Sequence, residues 1–377
     1  MNTDALRLVG SAQTNRAMEA ELIRIAGRTL GRRPPGPRRD GTGQLAYPWD
    51  AELAAAALTY HRTSTRVVRD LYLSSARRLE PLYDELVADV TADQRGWDAA
   101  IETVSVEVRR FDGFAAGERQ VVGTIKNALL DGAAARGRAL RVDPARPDAL
   151  VVARLDDRGQ VVVGLDLTCG TRTRRGWRLD AGEAPLREHL AAVMAIEARY
   201  DPRRDLVVDP MCGAGTLAIE AALAARGAPV VGTAPALWPD ARPVVVAGDR
   251  DLDVVAIARD NARRAGVDVI FHRGDFAGLT RDRLLAWAAD AGTVPPAGLV
   301  LCNPPWGERL EVADARLLYG ALGDWWRSLR DFRAAIVCAH PAFEAAFGTR
   351  WRVKKPLSTS NLRGYLFVYD PPGAAGE

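Results

Sequence analysis

The sequence contains little lysine, histidine or cysteine, and it has no long apolar run. Its three lysines (Lys126, Lys354 and Lys355) leave arginine to supply nearly all of the 51 basic residues. No apolar segment approaches the roughly 18 residues that a membrane span needs. The opening "MNTDALRLVG" has no basic region followed by an apolar stretch, so we expect no signal peptide and a cytoplasmic protein.

The few cysteines are scattered singly along the chain, and so are the histidines. There are four of each, with no C-x-x-C pair and no cysteine close to a histidine cluster. Disulfide scaffolds and zinc sites need such groupings, so the sequence predicts neither, and it predicts no metal.

The arginines are unevenly distributed. A net charge of +3 does not by itself identify a nucleic-acid-binding protein, but "RTRRGWR" (172–178) has four arginines, one tryptophan and no acid. Guanidinium groups pair well with phosphates and an aromatic ring can stack on a base. Arg175 and Arg178 are therefore candidate RNA contacts. The alternatives are a solvated face and an arginine bias that reflects GC-rich coding.

The pattern of elements changes along the chain. A length of 377 residues predicts two or three domains. "GRRPPGPRRDGTG" (31–43) is typical of a loop, and residues 51–168 show a mixed α/β pattern. From about residue 184 apolar strands alternate with helices, which predicts a parallel, doubly wound sheet. Such sheets bind ligands at the carboxyl ends of their strands, and four predicted strands end at Asp209, Asp249, Asp275 and Asn303.

A glycine-rich turn, "DPMCGAGTLA" (209–218), follows the first of these strands. It matches a dinucleotide fingerprint weakly and lacks the Gly-Lys-Ser/Thr of a phosphate loop. The Asp209 carboxylate would repel a pyrophosphate and attract a cation. S-adenosylmethionine carries an ammonium and a sulfonium, and its carboxylate suits a helix N-terminus. Asp249 is placed to accept from two ribose hydroxyls and Asp275 from an adenine amine, with Phe276 packing on the ring.

The segment "VLCNPPWGERL" (300–310) contains a second loop of chemical interest. Two prolines cannot continue a strand ladder, but they can stiffen a loop. The side-chain oxygen of Asn303 and the carbonyl of Pro304 could accept both N–H groups of an exocyclic base amine, orienting its lone pair and stabilising positive charge in the transition state. Trp306 offers a face for an unstacked base. The hypothesis needs neither a metal nor a covalent nucleophile.

These segments resemble the THUMP-domain RNA guanine-N2 methyltransferases, the UPF0020-type RNA methylases. The resemblance rests on "RGWR…APLREHLAAVM", "LVVDPMCGAGTLAIEAA", "GDRDLDVVAIARDNARRAGV" and "LCNPPWGERL…LYGALGDWW". It implies a Rossmann-like class I methyltransferase domain at 176–377, a THUMP RNA-binding domain at 61–175 and a ferredoxin-like segment at 1–60. The implied partner is structured RNA, with transfer RNA favoured over ribosomal RNA.

Carried over residue by residue, the resemblance implies a catalytic segment and a donor site. The catalytic segment is Asn303, Pro304, Pro305 and Trp306. The donor site is Asp209, Pro210, Cys212, Gly213, Gly215, Thr216, Asp249, Asp275 and Phe276. Cys212 is better interpreted as a small buried residue than as a nucleophile.

The sequence departs from the family at three places. The family's last aromatic in the catalytic segment is tyrosine, where this chain has Trp306. A Tyr-Asn-Gly turn is replaced by "STSNLRGYLFVYD" (358–370), and the first fifty residues match poorly. Glu308 and Arg309 are assigned no role, and Trp325 and Trp326 are expected in the core.

Three other functions remain open from sequence alone. A DNA amino-methyltransferase would use the same Asn-Pro-Pro-aromatic chemistry, although no target-recognition insertion stands out. An RNA-binding protein with a silent methyltransferase fold would conflict with the acids at the donor positions. A dinucleotide oxidoreductase would leave the Asn-Pro-Pro-Trp segment unexplained.

Overall fold

The structure is a computed structural model that describes residues 4–92, 100–170, 172, 174–178, 186–292, 295–306, 312–358 and 363–372. Its helices are α1 Asn15–Thr29, α2 Ala51–Tyr60, α3 Leu79–Ala92, α4 Glu118–Ala135, α5 Glu188–Glu197, α6 Thr216–Arg226, α7 Leu252–Ala265, α8 Arg281–Asp290, α9 Val312–Ser328 and α10 Phe343–Phe347. Its strands are β1 Ala5–Val9, β2 Arg38–Arg39, β3 Gln44–Pro48, β4 Arg66–Ser74, β5 Thr103–Arg109, β6 Arg141–Val142, β7 Ala149–Leu155, β8 Val161–Asp166, β9 Asp205–Asp209, β10 Val245–Asp249, β11 Ile270–Arg273, β12 Ala297–Cys302, β13 Phe332–Cys338, β14 Val353–Ser358 and β15 Arg363–Tyr369.

The chain forms two compact units. The first consists of Met1–Gly10, Leu30–Leu58 and Ser64–Arg172, and the second of Ser11–Thr29, Thr59–Thr63 and Thr173–Glu377. Helix α1 therefore belongs to the second unit although it lies early in the sequence. The division at residues 60 and 175 into three named domains stays a prediction.

The first unit is an α+β structure built on one mixed sheet. Its strands lie in the order β2-β3-β1-β4-β8-β7-β5-β6, antiparallel except where β5 pairs with β6 and β7. Helices α3 and α4 pack on each other and close an apolar core on the sheet. Elsewhere in the sheet the buried Arg7 guanidinium pairs with Asp70 and, at 2.9 Å, with Asp40. Whether this unit is a THUMP domain stays a prediction.

The second unit confirms the predicted doubly wound, mostly parallel sheet. Its strands lie in the order β11-β10-β9-β12-β13-β15-β14; the first five run parallel, β15 is antiparallel to β13, and β14 is antiparallel to β15. The strand order reverses between β9 and β12. Because ligands bind such sheets at the carboxyl ends of the strands beside this reversal, the topology places a site there.

Apolar side chains cover both faces of the second sheet. One core includes α5 and α6, and the other includes α9 with both of its tryptophans. Trp325 is 6% exposed and Trp326 is 1% exposed, which confirms that they are core residues. In the described part of the chain, no helix combines the length and the apolar character that a membrane span requires.

One glycine shows how tightly the central strands pack. Gly298 on β12 faces Phe332 on β13, and a Cβ at this position would lie 2.1 Å from the buried phenyl ring. Gly298→Ala should therefore lower the free energy of unfolding by about 3 kcal/mol, because the ring cannot move without disturbing the core. Chemical denaturation would measure the change.

Gly320→Ala is the matched control for that substitution. Gly320 lies inside α9, and a Cβ there would come no closer than 3.7 Å to another residue. Alanine in a helix interior gains about 0.5–1 kcal/mol over glycine. Equal destabilisation by the two substitutions would contradict the packing argument.

Candidate active site

The glycine-rich turn connects β9 to α6 and packs closely against β10 and α7. The Cys212 N–H donates to the Gly248 carbonyl at 2.8 Å, which ties the turn to β10. Gly215, the N-cap of α6, has φ +84°, and a Cβ there would lie 3.2 Å from Ala258 of α7. A glycine is therefore required by both conformation and space. At Gly213 (φ +51°) a Cβ would meet nothing within 4 Å, so that stretch of backbone is open to a ligand.

Asp209 is a buried carboxylate at the end of β9. It is 1% exposed, and its Oδ1 accepts a long hydrogen bond from the Met211 N–H at 3.4 Å. Burial raises the pKa of this carboxyl well above its ordinary value, and the negative charge of Asp249 raises the pKa further. A carboxylate in this environment favours a bound cation, which fits the ammonium or sulfonium of S-adenosylmethionine.

Asp249 ends β10, the strand beside β9, and its side chain is oriented by backbone donors. Oδ2 accepts from the Gly213 N–H and Oδ1 from the Asp251 N–H, both at 3.1 Å. Each carboxylate oxygen can accept a further hydrogen bond, so the pair can serve two neighbouring hydroxyls. Asp251 instead caps α7, accepting from the N–H groups of Asp253 and Val254.

Asp275 and Phe276 lie at the end of the next strand. β11 ends at Arg273, two residues before Asp275, whose Oδ1 accepts from the Ala277 N–H at 2.9 Å. The Asp275 side chain is exposed to solvent. Phe276 is 8% exposed and packs edge-on against Trp325 at 5.7 Å, so its ring is part of the core.

The Asn-Pro-Pro-Trp segment follows β12, on the other side of β9. The Trp306 indole N–H donates to Asn303 Oδ1 at 2.8 Å. The hydroxyl of Tyr319, a buried residue of α9, donates to the Pro305 carbonyl at 2.7 Å. The strand order β11-β10-β9-β12 thus brings the four predicted strand-end residues to one edge of the sheet. Residues 307–311, including Glu308 and Arg309, lie outside the described residues.

The side chains of Arg175 and Arg178 are turned into the protein rather than presented to solvent. The Arg175 side chain is 2% exposed and its Nε lies 3.4 Å from a carboxylate oxygen of Glu220 in α6. Arg178, 10% exposed, donates to Thr216 Oγ1 at 3.0 Å and pairs with Glu188 at 3.1 Å. This placement argues against direct phosphate contacts, because both guanidinium groups brace the helix that follows the glycine-rich turn.

Cys212 and Pro210 are buried within the same turn. Burial raises the pKa of the Cys212 thiol well above its ordinary value, and the charges of Asp209 and Asp249 raise it further. A thiol with a raised pKa is a poor nucleophile, so the geometry favours a packing role. Across the described ranges, no three His, Cys, Asp or Glu side chains converge as a metal site would require.

Two residues that support the site were not predicted from the sequence. The buried Asn261 of α7 donates from Nδ2 to the Ala214 carbonyl at 2.9 Å and so holds the glycine-rich turn from behind. Tyr319 does the same for the Asn-Pro-Pro-Trp segment. The signal in the sequence was a polar group on the core-facing side of an amphipathic helix, since a buried polar side chain requires a partner.

Comparisons with known proteins identify a methyltransferase family. The sequence model of the family described as UPF0020, RMKL-like methyltransferase domain, matches residues 175–366. A ribosomal RNA large subunit methyltransferase K/L from Chromohalobacter salexigens is 34% identical over 262 residues, covering 60% of this chain and 34% of that protein. The chain spans about a third to a half of the length of the curated relatives it matches.

Two solved structures share the fold over nearly the whole chain. One is the structure of SMU.472 complexed with SAH, with a TM-score of 0.76 and 22% identity, covering 98% of this chain and 99% of that chain. The other is TrmN from Thermus thermophilus, with a TM-score of 0.70 and 22% identity, covering 97% and 99%. At these identities the likeness shows a common fold.

Proposed function

Because the chain belongs to the UPF0020 family of RMKL-like methyltransferase domains, we propose that it methylates RNA on the exocyclic N2 amine of a guanosine. S-adenosylmethionine is the proposed methyl donor. The observation that carries the proposal is the pairing, at one sheet edge, of a buried carboxylate at Asp209 with an acceptor segment at Asn303–Trp306.

The donor half of the proposal rests on complementary charge. Asp209 would face the cationic part of the donor, Asp249 would accept from its ribose hydroxyls and Asp275 would accept from its adenine amine. The open backbone at Gly213 and the N-terminus of α6 leave space for the donor's carboxylate. When bound, the donor supplies an electrophilic methyl carbon whose bond to sulfur breaks as the amine nitrogen bonds to it, and the amine's extra proton passes to solvent.

The acceptor half rests on oxygen atoms held in place by the chain. Asn303 Oδ1 and the Pro304 carbonyl accept the two N–H groups of the base amine, which turns its lone pair away from the ring. These acceptors also stabilise the positive charge that develops on nitrogen. The Trp306 ring provides a surface on which the extruded base can stack.

Large-subunit ribosomal RNA is the first candidate substrate. The curated relatives are named for that activity, which moves ribosomal RNA ahead of the transfer RNA favoured in the sequence analysis. The mixed α+β first unit is the proposed RNA-binding region. Transfer RNA remains the second candidate, on the resemblance set out above.

Methyl transfer from labelled S-adenosylmethionine tests the proposal. The full chain would be incubated with separate pools of large-subunit ribosomal RNA, transfer RNA and duplex DNA from cells lacking the protein, and the labelled nucleoside identified by mass. N2-methylguanosine in ribosomal RNA is the expected result. Methyladenine or methylcytosine in DNA would overturn the RNA assignment. Donor binding without transfer to any pool would overturn the enzymatic assignment.

A further inference from the structure

The acceptor segment receives a hydrogen bond on each side of Pro304. On one side, the Trp306 indole N–H donates to Asn303 Oδ1 at 2.8 Å. An indole nitrogen is a donor only, so it can pair with the amide oxygen of asparagine and not with the NH₂ group. Trp306 therefore determines which way the Asn303 amide is turned. The side chains of phenylalanine and tyrosine have no N–H group, so neither residue at position 306 could make this indole hydrogen bond.

On the other side, Tyr319 holds the carbonyl of Pro305. Its hydroxyl donates to that carbonyl at 2.7 Å and accepts a hydrogen bond from the Cys338 thiol at 3.6 Å. The ring is 0% exposed and packs against Phe343 at 5.2 Å between ring centroids. Burial raises the pKa of Tyr319 well above its ordinary value, so the hydroxyl keeps its proton and remains a donor.

We propose that Trp306 and Tyr319 are positioning residues that fix the two acceptor oxygens before the base arrives. The Pro304 carbonyl lies between the two anchored residues, and the proline rings restrict the φ angles on both sides of it. With both ends held, Asn303 Oδ1 and the Pro304 carbonyl are fixed relative to each other. This inference rests on the proposed function, because it assigns these oxygens the task of binding a base amine.

Preset acceptors should affect kcat more than substrate affinity. Acceptors aimed at a charge that appears only in the transition state contribute to the rate, whereas the rest of the RNA supplies most of the binding. A displacement of about 1 Å can cost on the order of 100-fold in rate. Loss of either anchor should therefore appear in kcat, with little change in KM.

Tyr319→Phe tests one anchor by removing only the hydroxyl. We expect kcat to fall by about 10- to 100-fold, with KM for RNA and for the donor within about threefold of the wild type. Tyr369→Phe is the matched control. Tyr369 is 1% exposed in the same core, and its hydroxyl has no hydrogen-bond partner in the described part of the chain. The control should keep the wild-type kcat.

Trp306→Phe tests the other anchor, since it keeps a stacking ring and removes the N–H donor. It should also lower kcat by at least tenfold. Both bonds hold one short segment, so the double variant Trp306→Phe/Tyr319→Phe should be less impaired than the product of the two single effects. A full multiplicative loss would mean that the two residues act independently and would overturn a shared positioning role.

The inference and the proposed function can fail separately. If the wild-type protein methylates no nucleic acid, the proposed function is wrong. If the wild type is active and Tyr319→Phe keeps its kcat, the function holds and the inference is wrong. An equal loss of kcat in Tyr319→Phe and Tyr369→Phe would likewise reject positioning, because removing any core hydroxyl would then suffice.

Discussion

Asn303→Ala is expected to lower the rate of methyl transfer by about 1,000-fold or more while changing donor affinity less than about threefold. Removing one preorganised polar group at a developing charge costs 100- to 1,000-fold in other enzymes. Here the substitution also leaves the Trp306 N–H without its acceptor. The carboxylates proposed to bind the donor lie on β9 and β10, so the substitution leaves them in place. Single-turnover transfer and calorimetric donor binding measure the two quantities.

Asn303→Asp is the informative companion variant. Aspartate keeps an oxygen for Trp306 and another for the base amine, and it is nearly the same size as asparagine. If the acceptor oxygen is what matters, Asn303→Asp should retain at least tenfold more activity than Asn303→Ala. Equal inactivity of the two variants would show that the NH₂ group of Asn303, or another feature, is essential. Loss of donor binding in Asn303→Ala would indicate that the fold is disturbed.

The arrangement of the second unit follows directly from the sequence. Apolar strands alternating with helices require a parallel sheet, and the carboxyl ends of parallel strands share one edge. The sequence pattern alone therefore places Asp209, Asp249 and Asn303 at one edge, although their roles stay predictions. The strand expected to end at Asp275 stops two residues earlier, because Gly274 and the turn that Asp275 caps interrupt the ladder.

Contacts between distant residues do not follow from the same patterns. The basic character of "RTRRGWR" suggests a surface, yet Arg175 pairs with the buried Glu220 45 residues later. Tyr319 resembles any core aromatic until the position of the Pro305 carbonyl is known. Helix α1 lies in the first 60 residues yet belongs to the second unit. Local periodicity predicts elements, whereas these pairings depend on how the elements pack.

Asp209→Asn should weaken donor binding by about 100-fold or more and still make the free protein more stable. A hydrogen bond to a charged group contributes about 1.5–3 kcal/mol, and asparagine loses the charge attraction as well. Stability should respond in the opposite direction, because the raised pKa of Asp209 shows that its charged form is disfavoured by burial. Calorimetric titration and thermal unfolding without donor measure the two effects.

The pH dependence of the wild type follows from the same raised pKa. A carboxyl whose pKa is higher in the folded state contributes stability that is present at low pH and lost as pH rises through the folded-state pKa. The free energy of unfolding of the wild type should therefore decrease as pH rises from the unfolded-state pKa to the folded-state pKa of Asp209. Asp209→Asn should remove this part of the decrease. If Asp209 binds the donor as a carboxylate, as proposed, affinity should fall by up to tenfold per pH unit below the raised pKa, with proton release on binding.

Asp251→Asn tests whether donor affinity depends on the Asp209 carboxylate in particular or on any carboxylate nearby. Asp251 lies two residues after Asp249, and its carboxylate accepts from the first N–H groups of α7. Asparagine caps a helix about as well as aspartate, so stability and donor affinity should both stay near the wild type. Equal loss of donor affinity in Asp251→Asn and Asp209→Asn would assign the effect to overall negative potential. A loss confined to Asp209→Asn, together with its gain in stability, would mean that the fold tolerates a buried charge because the bound donor neutralises it.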